Sequence, residues 1–267
     1  METEARKQFL KRIECKGPIG YISTDVDATL NRAMEGQSMI HSTTRLRNRL
    51  PKLLFVANTG RGIDDVTSRL AEDGISDRIF DITISNNGSS RKQKDENGNE
   101  VIVHQYMDQT LVENIIDEFL KLGGSPKDMR WISGRNTYVD GNGETISYYG
   151  VESSVIPVNM AKKINEKLVE NVTKLNLAGD GDIIPQIASK FGESSQISEY
   201  ASSYRSKKGQ KRPCADITAK GYDKGTAIKE DLDRYGITNF IVIGNDMNDV
   251  PMFEEAIRDN RKYSYSK

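Results

Sequence analysis

Two continuous apolar runs, Leu53–Ala57 and Phe240–Ile243, and one strand-like segment, residues 18–24, stand out along the chain. Each stops at a cluster of small polar residues. Residues 18–24 lead into Asp25-Val26-Asp27-Ala28-Thr29-Leu30, the run Leu53–Ala57 ends in Asn58-Thr59-Gly60-Arg61, and the run Phe240–Ile243 in Gly244-Asn245-Asp246-Met247-Asn248-Asp249. Runs this short and apolar suit strands buried on both faces of a parallel sheet. Helical spacing of apolar residues follows over 62–73 and again over 224–235. Strands and helices in alternation predict a doubly wound sheet. In such a sheet the carboxyl ends of the strands border the ligand crevice, so three polar clusters at three strand ends are expected to converge.

Between residues 85 and 215 the pattern changes. Residues 85–99 read as loop and hairpin, Val101–His104 as a strand, and Leu111–Leu122 as an amphipathic helix closed by Gly123 and Gly124. A turn between strands is expected over 138–144 and a long helix over 159–174. The fold class expected is therefore α/β: a Rossmann-like parallel-sheet core, residues 1–84 and 216–267, with an inserted α+β cap over 85–215.

Composition narrows the partners. The 267 residues are 36% apolar and 29% charged, enough to bury a core in one large domain or two modest ones. With 38 basic against 39 acidic residues there is no global field to attract nucleic acid or a membrane surface. Neither is expected as a partner, and an anionic ligand must be held by a local cluster. Two cysteines far apart fit a reducing compartment, and only His41 and His104 are present, which argues against a multi-histidine metal site. The first residues lack the apolar stretch of a signal peptide, and no apolar run is long enough to span a bilayer. A cytoplasmic monomer or small homo-oligomer is the expectation.

The polar clusters suit phosphoryl chemistry. Two carboxylates spaced i, i+2 in a loop allow one to attack phosphorus while the other protonates the leaving oxygen and then activates water. An anion approaching a phosphate oxygen is repelled by roughly 4 kcal/mol per charge pair at 4 Å and an effective dielectric of 20. A divalent cation and a lysine would offset this, and magnesium suits a site of oxygen ligands shared with phosphate. Asp25, Asp27, Lys224 and the Asn245–Asp249 cluster supply those parts.

The segment Asp25–Leu30, Thr59-Gly60-Arg61, Asp223-Lys224-Gly225-Thr226-Ala227 and Gly244–Phe253 resemble the four ordered motifs of the haloacid dehalogenase-like superfamily. The insert lies between the second and third motifs, where members with a type IIB, Cof-like or sugar-phosphatase-like cap carry it. The resemblance implies a magnesium-dependent phosphatase acting on a small phosphorylated metabolite, a sugar or polyol phosphate. It implies Asp25 as nucleophile and metal ligand, and Asp27 as general acid/base offering its carbonyl to the metal. It further implies phosphate contacts from Thr59 and the Gly60 N–H, a bridge from Lys224 to Asp25, and support of phosphate and metal waters by Asn248 and Asp249. Asn245 stands where many relatives have a metal-ligating aspartate. Its amide oxygen still ligates but carries no charge, so weaker metal affinity is expected, with catalysis retained.

Competing readings are weaker. A calcium loop starting at Asp25 would need glycine and glutamate where Leu30 and Gly36 stand. Gly60-Arg61-Gly62 lacks the third glycine of a dinucleotide fingerprint. The basic stretch 203–212 reads as a solvated loop and His104 as structural, while Trp131, Arg135 and Tyr148 are candidates to face substrate. Two other functions remain open: phosphomutase or phosphotransferase chemistry on the same aspartyl-phosphate, and a sugar-phosphate-binding module without turnover.

Overall fold

The computed structural model describes residues 19–27, 29–30, 33–72, 74–141, 155–205, 211–245 and 247–258. These residues form two six-stranded sheets. The first holds β1 (Tyr21–Thr24), β2 (Leu54–Asn58), β3 (Ile82–Ser85), β4 (Ser90–Lys94), β5 (Glu100–His104) and, from the far end of the chain, β12 (Phe240–Ile243). Its order is β12-β1-β2-β3-β4-β5. The first four strands in that order run parallel, while β4 and β5 fold back antiparallel.

Both faces of the parallel part are covered, which is why its strands are apolar at successive positions. Tyr21, Val56, Phe240 and Val242 face one side and pack on Ile228, Leu232 and Met252. Those side chains come from helices α6 (Lys224–Tyr235) and α7 (Val250–Arg258). Ile22, Phe55, Ala57 and Ile241 face the other side and pack on Val66 and Leu70 of helix α2 (Ile63–Glu72). Helix α1 (Ala33–Arg49) supplies Ile40 and Leu46 at the edge of that cluster.

The second sheet comprises β6 (Met129–Ser133), β7 (Asn136–Asp140), β8 (Val155–Val158), β9 (Lys174–Ala178), β10 (Ser195–Arg205) and β11 (Lys211–Ala219), ordered β10-β11-β9-β6-β7-β8. It is antiparallel apart from the β7–β8 pair. Helices α3 (Gln109–Lys121) and α5 (Ile183–Phe191) cover one face of it, joined by the short α4 (Met160–Asn165), around Trp131, Leu175, Leu177 and Ile217. Helix α3 starts where Asp108 accepts the Leu111 N–H, an N-cap that satisfies one of the orphan donors of the first turn.

Three expectations need correction. Residues 90–104, expected in the insert, extend the first sheet, with Ile84 paired to Arg91 and Ser90 to His104. The chain passes from one sheet to the other near Gln105 and Tyr106, since Met107 already packs in the second core. On return, β11 runs to Ala219, beyond residue 215. The long helix expected over 159–174 stops at Asn165. Lys167 and Asn171 adopt left-handed backbone angles, φ of 53° and 52°, and the intervening Val169 drops into the second core. Finally, the basic stretch is not a loop at its two ends: residues 203–205 close β10 and 211–212 open β11, where Arg212 is paired with Asp128 and Asp180. Tyr148, Cys15 and residues 206–210 lie outside the described residues; Cys214 is buried.

Candidate active site

Asp25 is the first residue after β1. Its backbone N–H donates to the Ile243 carbonyl at 2.8 Å, so the two neighbouring strand ends are stitched together where the acid stands. Lys224 opens helix α6, whose N-cap Asp223 forms a capping box with Thr226. That cap fixes the helix start, and with it the direction of a lysine that is wholly buried. Lys224 Nζ donates to Asp25 Oδ1 at 2.8 Å and to Asp249 Oδ1 at 2.6 Å. Asp249 Oδ2 accepts the Asn245 N–H at 2.8 Å, and Asn245 Nδ2 donates to the Asp27 carbonyl at 3.2 Å. Residues 25, 224, 249, 245 and 27 are therefore joined in one chain of contacts, although 199 positions separate Asp25 from Lys224.

Burial lifts the Asp25 carboxyl to about 6. The Lys224 charge pulls it down, but Asp249 and Asp27 push it further up. At Lys224 burial would lower the ammonium's value, yet Asp25 and Asp249 together outweigh it and raise it. One cation shared by two buried acids explains both directions: each acid repels the other, and the lysine is held by both.

The second cluster sits at the end of β2, next to β1 in the sheet, with Thr24 opposite Ala57. Thr59 is buried and its hydroxyl accepts the Arg61 N–H at 3.2 Å. A Cβ on Gly60 would stand 2.9 Å from Asn87 Oδ1 and 3.5 Å from Asn248 Nδ2, so glycine permits this close approach and Thr59, Gly60 and Asn248 belong to one neighbourhood.

Several site residues escaped the sequence pattern. Arg61 grips the Asp27 carboxylate with two bonds, Nε to Oδ2 at 2.7 Å and Nη2 to Oδ1 at 2.8 Å, and reaches Asp65 with Nη1 at 2.8 Å. This fork fixes the carboxylate plane as well as its charge. Asn58 Nδ2 donates to the Lys224 carbonyl at 3.0 Å and ties β2 to helix α6. The turn Asn86-Asn87-Gly88 binds the Arg61 and Thr59 carbonyls through the N–H groups of Asn86 and Asn87. Gly88, at φ of 100°, lies so close to helix α6 that a Cβ would fall 2.3 Å from the Asp223 carbonyl oxygen. The Asn-Asn-Gly signature, read only as a loop, was the available signal. Of the other candidates, Trp131 is buried and stacks on Tyr138 at 4.7 Å, Arg135 pairs with Asp64, and His104 Nδ1 meets Ser90 Oγ at 2.9 Å.

Formal charge at the site is negative. Asp25 and Asp249 against Lys224 leave one surplus negative charge, and Asp27 and Asp65 against Arg61 leave another. Among the described residues no three acidic, histidine or cysteine side chains group as a metal site. The donors that do meet are mixed: the Asp25 and Asp249 carboxylates, the Asp27 carbonyl and the Asn245 amide. An all-oxygen set with few charges, beside a charge deficit, fits a hard cation that keeps part of its water and does not fit zinc.

The model of the haloacid dehalogenase-like hydrolase family matches residues 22–260, and the chain belongs to that family. Among solved structures it is similar to a protein described as a HAD/COF-like hydrolase from Plasmodium vivax, with 18% identity, a TM-score of 0.67, and 96% of this chain and 86% of that one covered. It is similar to a haloacid dehalogenase-like hydrolase from B. subtilis, with 16% identity, a TM-score of 0.65, and coverages of 89% and 87%. It is also similar to a HAD subclass IIB sugar phosphatase, with 19% identity, a TM-score of 0.64, and coverages of 92% and 93%. At such identities the likeness is one of fold. No curated protein sequence matches the chain. Among the described residues no helix is long and apolar enough to cross a membrane.

Proposed function

We propose that the protein is a magnesium-dependent phosphatase that hydrolyses a small phosphorylated metabolite, a sugar or polyol phosphate, through an aspartyl-phosphate on Asp25. The observation that carries this reading is the buried Lys224 ammonium held between Asp25 and Asp249, beside Asp27 in its Arg61 fork. A lysine so placed keeps Asp25 Oδ1 occupied and leaves its other oxygen for phosphorus. The bond from that oxygen to phosphorus forms as the bond from phosphorus to the leaving oxygen breaks. Asp27 takes up a proton on one oxygen, giving up one of its two Arg61 bonds, and donates it to the leaving oxygen; it then takes a proton from the water that attacks the aspartyl-phosphate, which restores Asp25. Thr59 and Gly60 bind phosphate oxygens, and Asn248 assists.

Asp25, the Asp27 carbonyl, Asn245 and, through water, Asp249 would hold the magnesium ion. When bound, that ion supplies positive charge against the two surplus negatives of the site and the charge of the phosphate. The inserted sheet acts as a cap that excludes water and selects the leaving group. Assignment of a sugar phosphate rests on the similarity to a subclass IIB sugar phosphatase.

Release of inorganic phosphate from an aryl phosphate tests the reading. Wild-type protein should release it with magnesium and cease on exhaustive chelation, and Asp25→Asn should be inactive while folded. Turnover that survives chelation would overturn the metal role. Transfer to an added alcohol in place of phosphate release would favour the phosphotransferase reading.

A further inference from the structure

The second sheet has two faces of different chemistry. Leu175, Leu177, Ala215 and Ile217 point to the helices that cover it. Their strand neighbours Lys174, Asn176 and Asp216 alternate to the opposite face, and these three are buried as well. Polar and charged side chains leave water only where other polar groups meet them. Here the partner is the turn after β2. Lys174 Nζ donates to the Gly60 carbonyl at 2.6 Å and to Asp216 Oδ2 at 2.8 Å. Asp216 in turn accepts from Asn176 Nδ2 at 2.6 Å and from Asn87 Nδ2 at 2.9 Å, the latter reaching over from the first sheet.

We infer that Lys174 is a positioning residue: by holding the Gly60 carbonyl it sets the Gly60–Arg61 peptide and, through it, the Arg61 fork on Asp27. The catalytic carboxylate is then correctly aimed only while the inserted sheet is docked on the core. The inference rests on the phosphatase reading above. The peptide is pinned at both ends, its carbonyl by Lys174 and its N–H by the Thr59 hydroxyl at 3.2 Å. Glycine at position 60 gives the backbone many alternative conformations, so without the lysine this peptide keeps only its N–H contact with Thr59 and rotates more readily. Rotation would swing the Arg61 side chain, whose Nε and Nη2 lie 2.7 and 2.8 Å from the Asp27 oxygens. Lys174 acts within the protein rather than on a ligand, because its ammonium is directed at a backbone carbonyl and a carboxylate.

Removing Lys174 alone would take from the buried Asp216 the cation bonded to it, so the informative variant is the neutral pair Lys174→Met with Asp216→Asn. Acetyl phosphate is the substrate of choice, since its leaving group has no hydroxyls for a cap to recognise. The pair variant should lose about 10- to 100-fold in kcat, the scale of a misaligned reacting group, with KM little changed. Amides of residues 58–62 should exchange with deuterium about tenfold faster, while those of β9 and β11 stay protected. Adding Arg61→Ala to the pair should cost little beyond Arg61→Ala alone, because both act on the same carboxylate. Lys174→Arg, which keeps donor and charge, should retain most of kcat. The Lys174→Gln/Asp216→Asn pair guards against failure to fold: it is polar and neutral, its side chain is too short to reach Gly60, and it should show the same loss. Unchanged exchange at 58–62, unchanged kcat, a loss confined to KM, or losses that multiply with Arg61→Ala would each overturn the inference. If wild-type protein released no phosphate, the phosphatase reading would fail by itself, and exchange at 58–62 would decide separately whether Lys174 orders the turn.

Discussion

Replacing Asp25 by asparagine should make the metal-free protein more stable at neutral pH, although it removes the proposed nucleophile. Burial, with Asp249 and Asp27 nearby, lifts the Asp25 carboxyl from an ordinary value of 3.8 to about 6 despite the lysine beside it. The folded protein therefore binds this proton more tightly than the unfolded chain does. For a raised carboxyl the stabilising contribution is present at low pH and is lost as pH rises through the interval from 3.8 to about 6. Above that interval the ionised carboxylate costs the fold about 3 kcal/mol, from about 1.4 kcal/mol for each tenfold change in proton affinity. Asparagine is neutral throughout, and its amide oxygen still accepts from Lys224. Urea unfolding with a chelator present should therefore show Asp25→Asn ahead by about 2–3 kcal/mol near pH 7.5, with the gap closing near pH 4. Magnesium at about 1,000 times its Kd should reverse the order, since a ligand of the folded state at that level adds about 4.1 kcal/mol. A metal-free variant less stable than wild type at neutral pH, or a gap independent of pH, would refute the reasoning.

Further expectations follow from the same contacts. Lys224→Met leaves Asp25 and Asp249 buried without their cation, and calorimetry or urea titration should show a loss of about 3–5 kcal/mol at neutral pH. Asn245→Asp places a carboxylate where an amide now donates to the Asp27 carbonyl; it should lower metal-free stability and tighten magnesium binding about tenfold by isothermal titration. Burial pushes the Asp216 carboxyl up, but the charges of Lys174 and Arg130 and the bonds from Lys174 and Asn176 outweigh it and hold it below the usual range. The stability it contributes is present above about pH 4 and lost as pH falls further, so the difference between wild type and Asp216→Asn should shrink in acid.

What was legible in the sequence, and what was not, divides along a physical line. Helix α6 spans Lys224–Tyr235 as its spacing suggested, and Phe240–Ile243 is a strand buried on both faces, because burial on two sides forces a run of apolar residues that any reader can see. The hairpin β4–β5 was assigned to the wrong sheet because it is half exposed: Ser-Arg-Lys-Gln-Lys opposite Glu-Val-Ile-Val-His carries no mark of the sheet it joins. The helix expected to continue past Asn165 failed because local periodicity does not register the left-handed turns at Lys167 and Asn171. At the site, Asp25, Lys224 and Asp249 stood out as acids and a lysine after strands or at a helix start. The fork of Arg61 on Asp27 and the pair Lys174–Asp216 did not, since each depends on side chains whose meeting is decided by the fold, 34 and 42 residues apart.

Covalent trapping tests the central claim most directly. Protein turning over an aryl phosphate with magnesium is quenched in acid, digested with a protease active at low pH, and searched by mass spectrometry for a peptide heavier by one phosphoryl group. The phosphorylated peptide should contain Asp25, with fragmentation placing the group on that residue, and no such peptide should arise from Asp25→Asn. Phosphate release accompanied by a phosphoryl group on any other residue, or undiminished release by Asp25→Asn, would contradict the account.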